Sequence, residues 1–178
     1  NLTNAKGPVK KVEDAKGLKI RTMENKVHLA AWKAAGLNPT PMTWGEVFTA
    51  LQQRVIDGQE NPIAVFYSCK LWDAGQKFFS LTQHVYSPSQ LLMSPKAFNA
   101  LPKADQQICV KTALEVAKFQ RKVNRDGEEA KLQEMAKKGV IITRDVDKES
   151  FKKAMVPVYD EFKAQFSKAE IDNIMNAK

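Results

Sequence analysis

MTWGEVFTALQQRVIDGQENP, residues 42–62, decides how the chain is read. It holds one amphipathic helix with a signal at each end. Thr43 reads as the N-cap, and Glu46 three residues on gives the spacing of a capping box. Met42 and Val47 are placed to close a hydrophobic staple. Val47, Phe48, Leu51, Val55 and Ile56 recur at helical spacing, which predicts one buried face. Gly58 reads as a left-handed helix stop. Asn61-Pro62 then reads as a second N-cap followed by proline at the first helical position. Two capped helices joined by a tight loop make a rigid platform. Trp44 and Asn61 stand at its two ends as candidate ligand-facing residues.

Outward from this stretch, strands and helices alternate. Residues 1–16 are polar and charged and read as a connector. Leu18 to Thr22 predicts a short strand, with Leu18 and Ile20 on one side and Lys19 and Arg21 on the other. Asn25 caps a helix that runs to about Ala35 and stops at Gly36. Asn38 to Met42 is extended, and Pro39 and Pro41 suit a sheet edge. After Pro62 a helix through Ile63, Phe66, Tyr67 and Leu71 ends near Gly75. Phe78 to Thr82 and Gln90 to Met93 read as strands, and Ser94-Pro95 opens a short helix. A very long helix spans about Lys103 to Lys138, with a weak point at Gly127. Its apolar positions keep no strict heptad, which argues against a coiled coil and for a bridge between two lobes. Gly139 stops it before a strand at Val140 to Thr143. Asp147 caps a helix carrying Phe151, Met155, Tyr159 and Phe162 and kinked at Pro157. A last helix covers Lys168 to Met175. This alternation predicts an α/β layered sheet. In such sheets ligands sit beyond the carboxyl ends of the strands, where Arg21 lies.

The chain has 178 residues, 43% of them hydrophobic and 27% charged, which is the composition of a folded globular chain. It begins at Asn1 rather than Met, so it reads as a processed product or a fragment. Its formal net charge is +8. The lysines (among them Lys10, Lys11, Lys33, Lys70, Lys118, Lys137, Lys138, Lys152 and Lys153) are scattered with carboxylates between them. That is a solvated face, not a nucleic-acid stripe. Cys69 and Cys109 have no metal-ligand spacing and read as two separate buried thiols. His28 and His84 are far apart and give no catalytic dyad; His28 follows the Arg21 strand closely enough to neighbour a pocket there. No metal or cofactor set emerges.

Three stretches together carry a resemblance: GLKIRTMEN (17–25), NPTPMTWGEVFTALQQRVIDGQENP (38–62), and the long helix with KKGVIIT (137–143). In order along nearly the whole chain, they resemble the periplasmic solute-binding proteins of TRAP transporters, of the dicarboxylate-binding type. The resemblance implies two α/β lobes joined by crossing segments and a long helix that close on an organic acid. Members of this family are nearly twice as long, and the likeness is to their C-terminal portion. Residues 1–86 and 127–178 would form the second lobe, and 87–126 a segment returning to a first lobe that is largely absent. Apolar surface on 87–126 would then be covered by that lobe or by self-association.

The same resemblance implies roles for single residues. Arg21 matches the arginine that clamps the substrate carboxylate, which its guanidinium fork can do through two parallel hydrogen bonds. Trp44 matches a pocket aromatic that packs on the ligand skeleton, where relatives often have Phe. Asn61 matches a pocket asparagine, although a helix cap explains it equally well. Glu24 stands where members vary and is placed to meet ligand hydroxyls or an amine. Glu46 belongs to the cap, and Gln59 and Glu60 to the shape of the loop. The implied function is non-enzymatic: capture of a small carboxylate in the periplasm and delivery to integral membrane subunits, with no cofactor. A sensing module for organic acids uncoupled from transport is the alternative. An enzyme would need a nucleophile, a general base or a metal set that the sequence does not present.

Overall fold

The computed structural model describes residues 1–176. Six short strands form one sheet: β1 (Leu2–Asn4), β2 (Lys19–Thr22), β3 (Asn38–Pro41), β4 (Gly58–Glu60), β5 (Phe78–Ser80) and β6 (Ile141–Thr143). Their order is β3-β2-β4-β1-β5-β6. β1 runs antiparallel to β4 and β5, while β2 pairs in parallel with β3 and β4, and β5 with β6. Five strands therefore point one way, and their carboxyl ends share one edge. The prolines of β3 lie on an outer strand, where a missing N–H interrupts no ladder.

Helices cover both faces. α2 (Trp44–Gln52), α3 (Ile63–Ser68) and the end of α5 (Lys103–Lys137) pack one face around Val47, Phe66, Phe79 and Met135. α1 (Lys26–Ala34) and α6 (Lys148–Phe162) cover the other around Leu2, Ile20, Trp32 and Phe151. The expected caps hold for both: Asn25 Oδ1 accepts from His28 N at 3.1 Å, and Asp147 Oδ1 from Ser150 N at 3.1 Å. Gly36 and Gly139 adopt φ of +82° and +86° where α1 and α5 end. α4 (Pro95–Asn99) and α7 (Lys168–Met175) complete the chain.

The opening of the chain is not a connector. β1 lies inside the sheet with Leu2, Thr3 and Asn4 fully buried, and Val9, Val12 and Ala15 join the core beneath α6. Thr3 and Asn4 are polar, so their burial needs hydrogen-bond partners: Thr3 finds them far along the chain in Gln59 and Gln76, and Asn4 nearby in the backbone of Lys6 and Gly7.

The 42–62 stretch also differs from its expected form. α2 ends at Gln52, and the chain turns at Arg54, a non-glycine residue with φ +58°. Val55 is therefore largely exposed; within the helix Phe48 is partly exposed, while Val47, Ala50 and Leu51 are buried. Thr43 and Glu46 do not form the reciprocal box; their side chains bond each other at 2.8 Å. Met42 still packs against the cluster that includes Val47. Gly58 is no helix stop. It opens β4, and a Cβ there would lie 2.0 Å from the carbonyl oxygen of Thr3, so close strand approach demands glycine. Asn61 caps nothing, because Pro62 itself occupies the N-cap of α3.

Further along, the helix after Pro62 breaks at Lys70 (φ +47°) and resumes as a 3-10 turn, Leu71–Ala74. Gln90 to Met93 form no strand: Leu91 and Leu92 are 74% and 80% exposed, with no neighbouring strand to pair. α5 runs unbroken through Gly127 for 35 residues. Pro157 lies inside α6. Cys69 and Cys109 are free thiols, each half-buried rather than buried.

Candidate functional site

The carboxyl edge of β2, β3 and β4 brings the candidate residues together. Strand alternation turns Ile20 into the α1/α6 core and sends Arg21 to the opposite side. There Arg21 Nε donates to the carbonyl oxygen of Met42 at 2.9 Å. Met42 directly follows β3, whose Pro41 pairs with Thr22, so the parallel register sets this contact. Two residues on, Trp44 begins α2 and lays its ring 5.4 Å from Arg21 Cζ. Arg21 is only 7% exposed, and Trp44 41%. Burial lowers the Arg21 pKa and the charge of Glu60 opposes that shift; an arginine keeps its charge through such changes. Its two terminal nitrogens have no acceptor among the described residues. A guanidinium held at one nitrogen, roofed by an indole and open at the other two, is prepared to grip a carboxylate.

Asn61 leaves β4, the neighbouring strand, in which Gln59 pairs with Arg21. Its backbone extends the β1 ladder: Asn61 N donates to Asn1 O at 3.0 Å, and Asn1 N to Asn61 O at 3.1 Å. Its side chain is half-buried, and Nδ2 donates to Gln59 Oε1. Glu24 is exposed in the turn after β2 and makes no hydrogen bond or ion pair among the described residues, so no contact ties it to Arg21 or Trp44.

Sequence reasoning missed a second group at this edge. Glu60 faces the side opposite Gln59 and is 7% exposed. Its Oε2 lies 3.1 Å from His84 Nε2, and its Oε1 4.0 Å from His28 Nδ1. His84 Nδ1 contacts Thr82 Oγ1 at 2.7 Å, and its ring meets Trp32 edge-on at 4.7 Å between centroids. Burial pushes the His84 pKa below its ordinary 6.5, against the opposing pull of Glu60. The signals available were the place of His28 just after the Arg21 strand and the period of two in Gln59-Glu60, which places them on opposite faces once 58–60 is read as a strand.

A cavity on that side of the sheet lies between α1, α6 and α7, walled by Trp32, His84, Met155, Val158 and Phe162. It is apolar, and Arg21, Trp44 and Asn61 do not line it. Among the described residues no cluster of three or more His, Cys, Asp and Glu side chains is placed to hold a metal ion, and no helix is long and apolar enough to cross a membrane.

Comparison with known proteins adds the following. Residues 1–165 match the family described as bacterial extracellular solute-binding protein, family 7. A solute-binding protein of Verminephrobacter eiseniae is 45% identical over 100% of this chain and 53% of its own length. The 2,3-diketo-L-gulonate-binding periplasmic protein YiaO of Escherichia coli is 40% identical over 87% of the chain and 47% of its own. Among solved structures, a TRAP periplasmic solute-binding protein from Polaromonas bound to D-erythronate superposes with a TM-score of 0.94 at 45% identity, covering 99% of this chain and 58% of that one. The chain thus spans about half the length of the relatives it matches.

Proposed function

The chain belongs to the bacterial extracellular solute-binding proteins of family 7, and from that premise we propose that it is the second half of a periplasmic protein that captures a small organic acid and delivers it, without catalysis, to the membrane subunits of a TRAP-type secondary transporter. The observation that carries the reading is Arg21, buried beneath Trp44 with its two terminal nitrogens uncommitted among the described residues. Arg21 grips the carboxylate, Trp44 packs on the carbon skeleton, and Asn61 meets a polar group beside it; Glu24 takes a peripheral place. The acids named for the Escherichia coli and Polaromonas proteins each carry one carboxylate, which is what a single arginine fork accepts.

In this reading residues 1–86 and 127–178 belong to one lobe, with 177 and 178 outside the described residues, and 87–126 return to the other. Supporting this division, Leu91, Leu92, Ile108, Leu114 and Phe119 on that segment are each more than 60% exposed. A ligand touching both lobes favours the closed state over the open one, and that difference drives capture.

The test is Arg21→Lys in the full-length protein, titrated calorimetrically with D-erythronate. A lysine point charge cannot restore the two-pronged grip, and truncating one side of a buried charge pair costs about 3–5 kcal/mol. We expect at least a hundredfold loss, about 2.8 kcal/mol. Affinity within about twofold of the parent would refute the clamp.

A further inference from the structure

The amide of Asn61 has its orientation dictated from the far end of a buried hydrogen-bond relay, and the direction of every link follows from one backbone carbonyl. Gln76 Nε2 lies 3.2 Å from the carbonyl oxygen of Asp57, which can only accept. The reversed amide would set two oxygens against each other, so Gln76 Oε1 must face the other way, 2.9 Å from Thr3 Oγ1. Two oxygens at that distance need a proton between them, and Thr3 supplies its only one. The Thr3 hydroxyl can then only accept from Gln59, whose Nε2 lies 3.0 Å away. That turns Gln59 Oε1 toward Asn61, where it accepts from Nδ2. The Thr3 hydroxyl also lies 3.3 Å from the Gln59 carbonyl oxygen, a longer contact to a second acceptor that leaves the polarity unchanged. Thr3, Gln59 and Gln76 are each fully buried, so no water competes for these links.

The consequence falls at the open end. Asn61 cannot flip, because its oxygen would meet Gln59 Oε1. Its Oδ1 has no donor among the described residues, and one N–H remains free. We propose that Thr3, Gln59 and Gln76 are positioning residues that hold Asn61 with Oδ1 as an acceptor toward the cleft, selecting acids with a hydroxyl on the carbon next to the carboxylate. Arg21 is register-paired with Gln59, so its fork and the Asn61 amide stand on adjacent strands. A carboxylate on the first leaves its neighbouring carbon near the second. A 2-hydroxyl satisfies Oδ1; a methylene leaves a desolvated acceptor unpaired. This rests on the assignment of Arg21 and Asn61 to the ligand site.

The experiment compares D-erythronate with its 2-deoxy analogue, 3,4-dihydroxybutanoate, on the full-length protein. Thr3→Val fills the same space but carries no hydroxyl, so Gln59 and then Asn61 are freed to turn. The parent should prefer D-erythronate by at least about tenfold, the discrimination of one unpaired buried polar group. Thr3→Val should lose that preference by weakening D-erythronate alone, and Thr3→Ser should restore it. A merely structural threonine would weaken both acids together and leave their ratio unchanged, and that result overturns the proposal. So does a parent without preference. If Thr3→Val fails to fold, Gln76→Met is read in the same way. Arg21→Lys separates the two levels. Binding abolished by Arg21→Lys with the preference intact in Thr3→Val removes the relay alone, whereas binding indifferent to Arg21→Lys removes the clamp and the relay with it.

Discussion

At the scale of single residues, two kinds of chemistry divide the carboxyl edge of the sheet. Arg21 keeps a permanent charge, and its partners (a carbonyl oxygen and an indole ring) do not titrate in the neutral range. His84 does. It is held neutral because burial outweighs the attraction of Glu60, so its folded pKa lies below the 6.5 of the unfolded chain. The unfolded state then binds the proton first. The stabilisation is complete above pH 6.5 and is lost as pH falls from there through the lower folded value, with a slope of at most about 1.4 kcal/mol per pH unit for one proton. Urea midpoints at pH 7.5 and 5.5 should therefore fall toward acid for the parent and fall less for His84→Gln. An equal fall in both would remove His84 as the source. The place of Arg21 on β2, on the side opposite Ile20, was legible at this scale from strand alternation, while its ligand role came from the resemblance. Glu60 and His84 were not, since each meets its partner only across the sheet.

At the scale of elements, α5 is two helices in energetic terms. Its C-terminal third is anchored: Leu132 and Met135 are buried, Glu134 accepts from Tyr67 of α3, and Glu129 pairs with Arg144 at 2.7 Å. The part from Lys103 to about Gly127 carries Ile108, Leu114, Phe119 and Val123 into solvent. An unsupported amphipathic stripe of this kind gains no burial energy from its apolar face. Met135→Ala should cost about 2–5 kcal/mol in this chain. Leu114→Ala should stay within about 0.5 kcal/mol here, at dilutions where the chain is monomeric, and become destabilising in the full-length protein. Equilibrium urea unfolding of both variants in both contexts measures this. A Leu114→Ala effect that is the same in the two contexts would count against a second lobe covering the stripe. The length of α5 and its stop at Gly139 followed from periodicity and from a glycine suited to left-handed φ. Which half would be buried came from the resemblance and not from periodicity, because both halves have apolar residues at similar spacing.

For the whole molecule, residues 86–123 expose Tyr86, Leu91, Leu92, Ile108, Leu114 and Phe119, apolar side chains of the kind that mark an interaction surface. The chain in isolation should therefore self-associate at micromolar concentration. Replacing Leu114 and Phe119 together by lysine should shift it toward monomer in analytical ultracentrifugation. A well-folded monomer of the parent at every concentration would sink the expectation.

Sequence alone determined what depends on neighbours within a few residues: the Lys19–Thr22 strand with Arg21 turned from the core, the Asn25 and Asp147 caps, the edge prolines of β3, the extent of α5 and the family. Tertiary structure decided what depends on pairing across the fold. It placed the polar opening residues at the centre of the sheet, because Thr3 finds Gln59 and Gln76, 56 and 73 positions away. It made Gly58 a strand residue, because the Thr3 carbonyl leaves no room for a Cβ. It also turned the expected loop 58–60 into the strand that carries Gln59 and Glu60 to opposite faces. Local patterns encode helix ends and strand faces; the partner that satisfies a buried amide is set only when the strands meet.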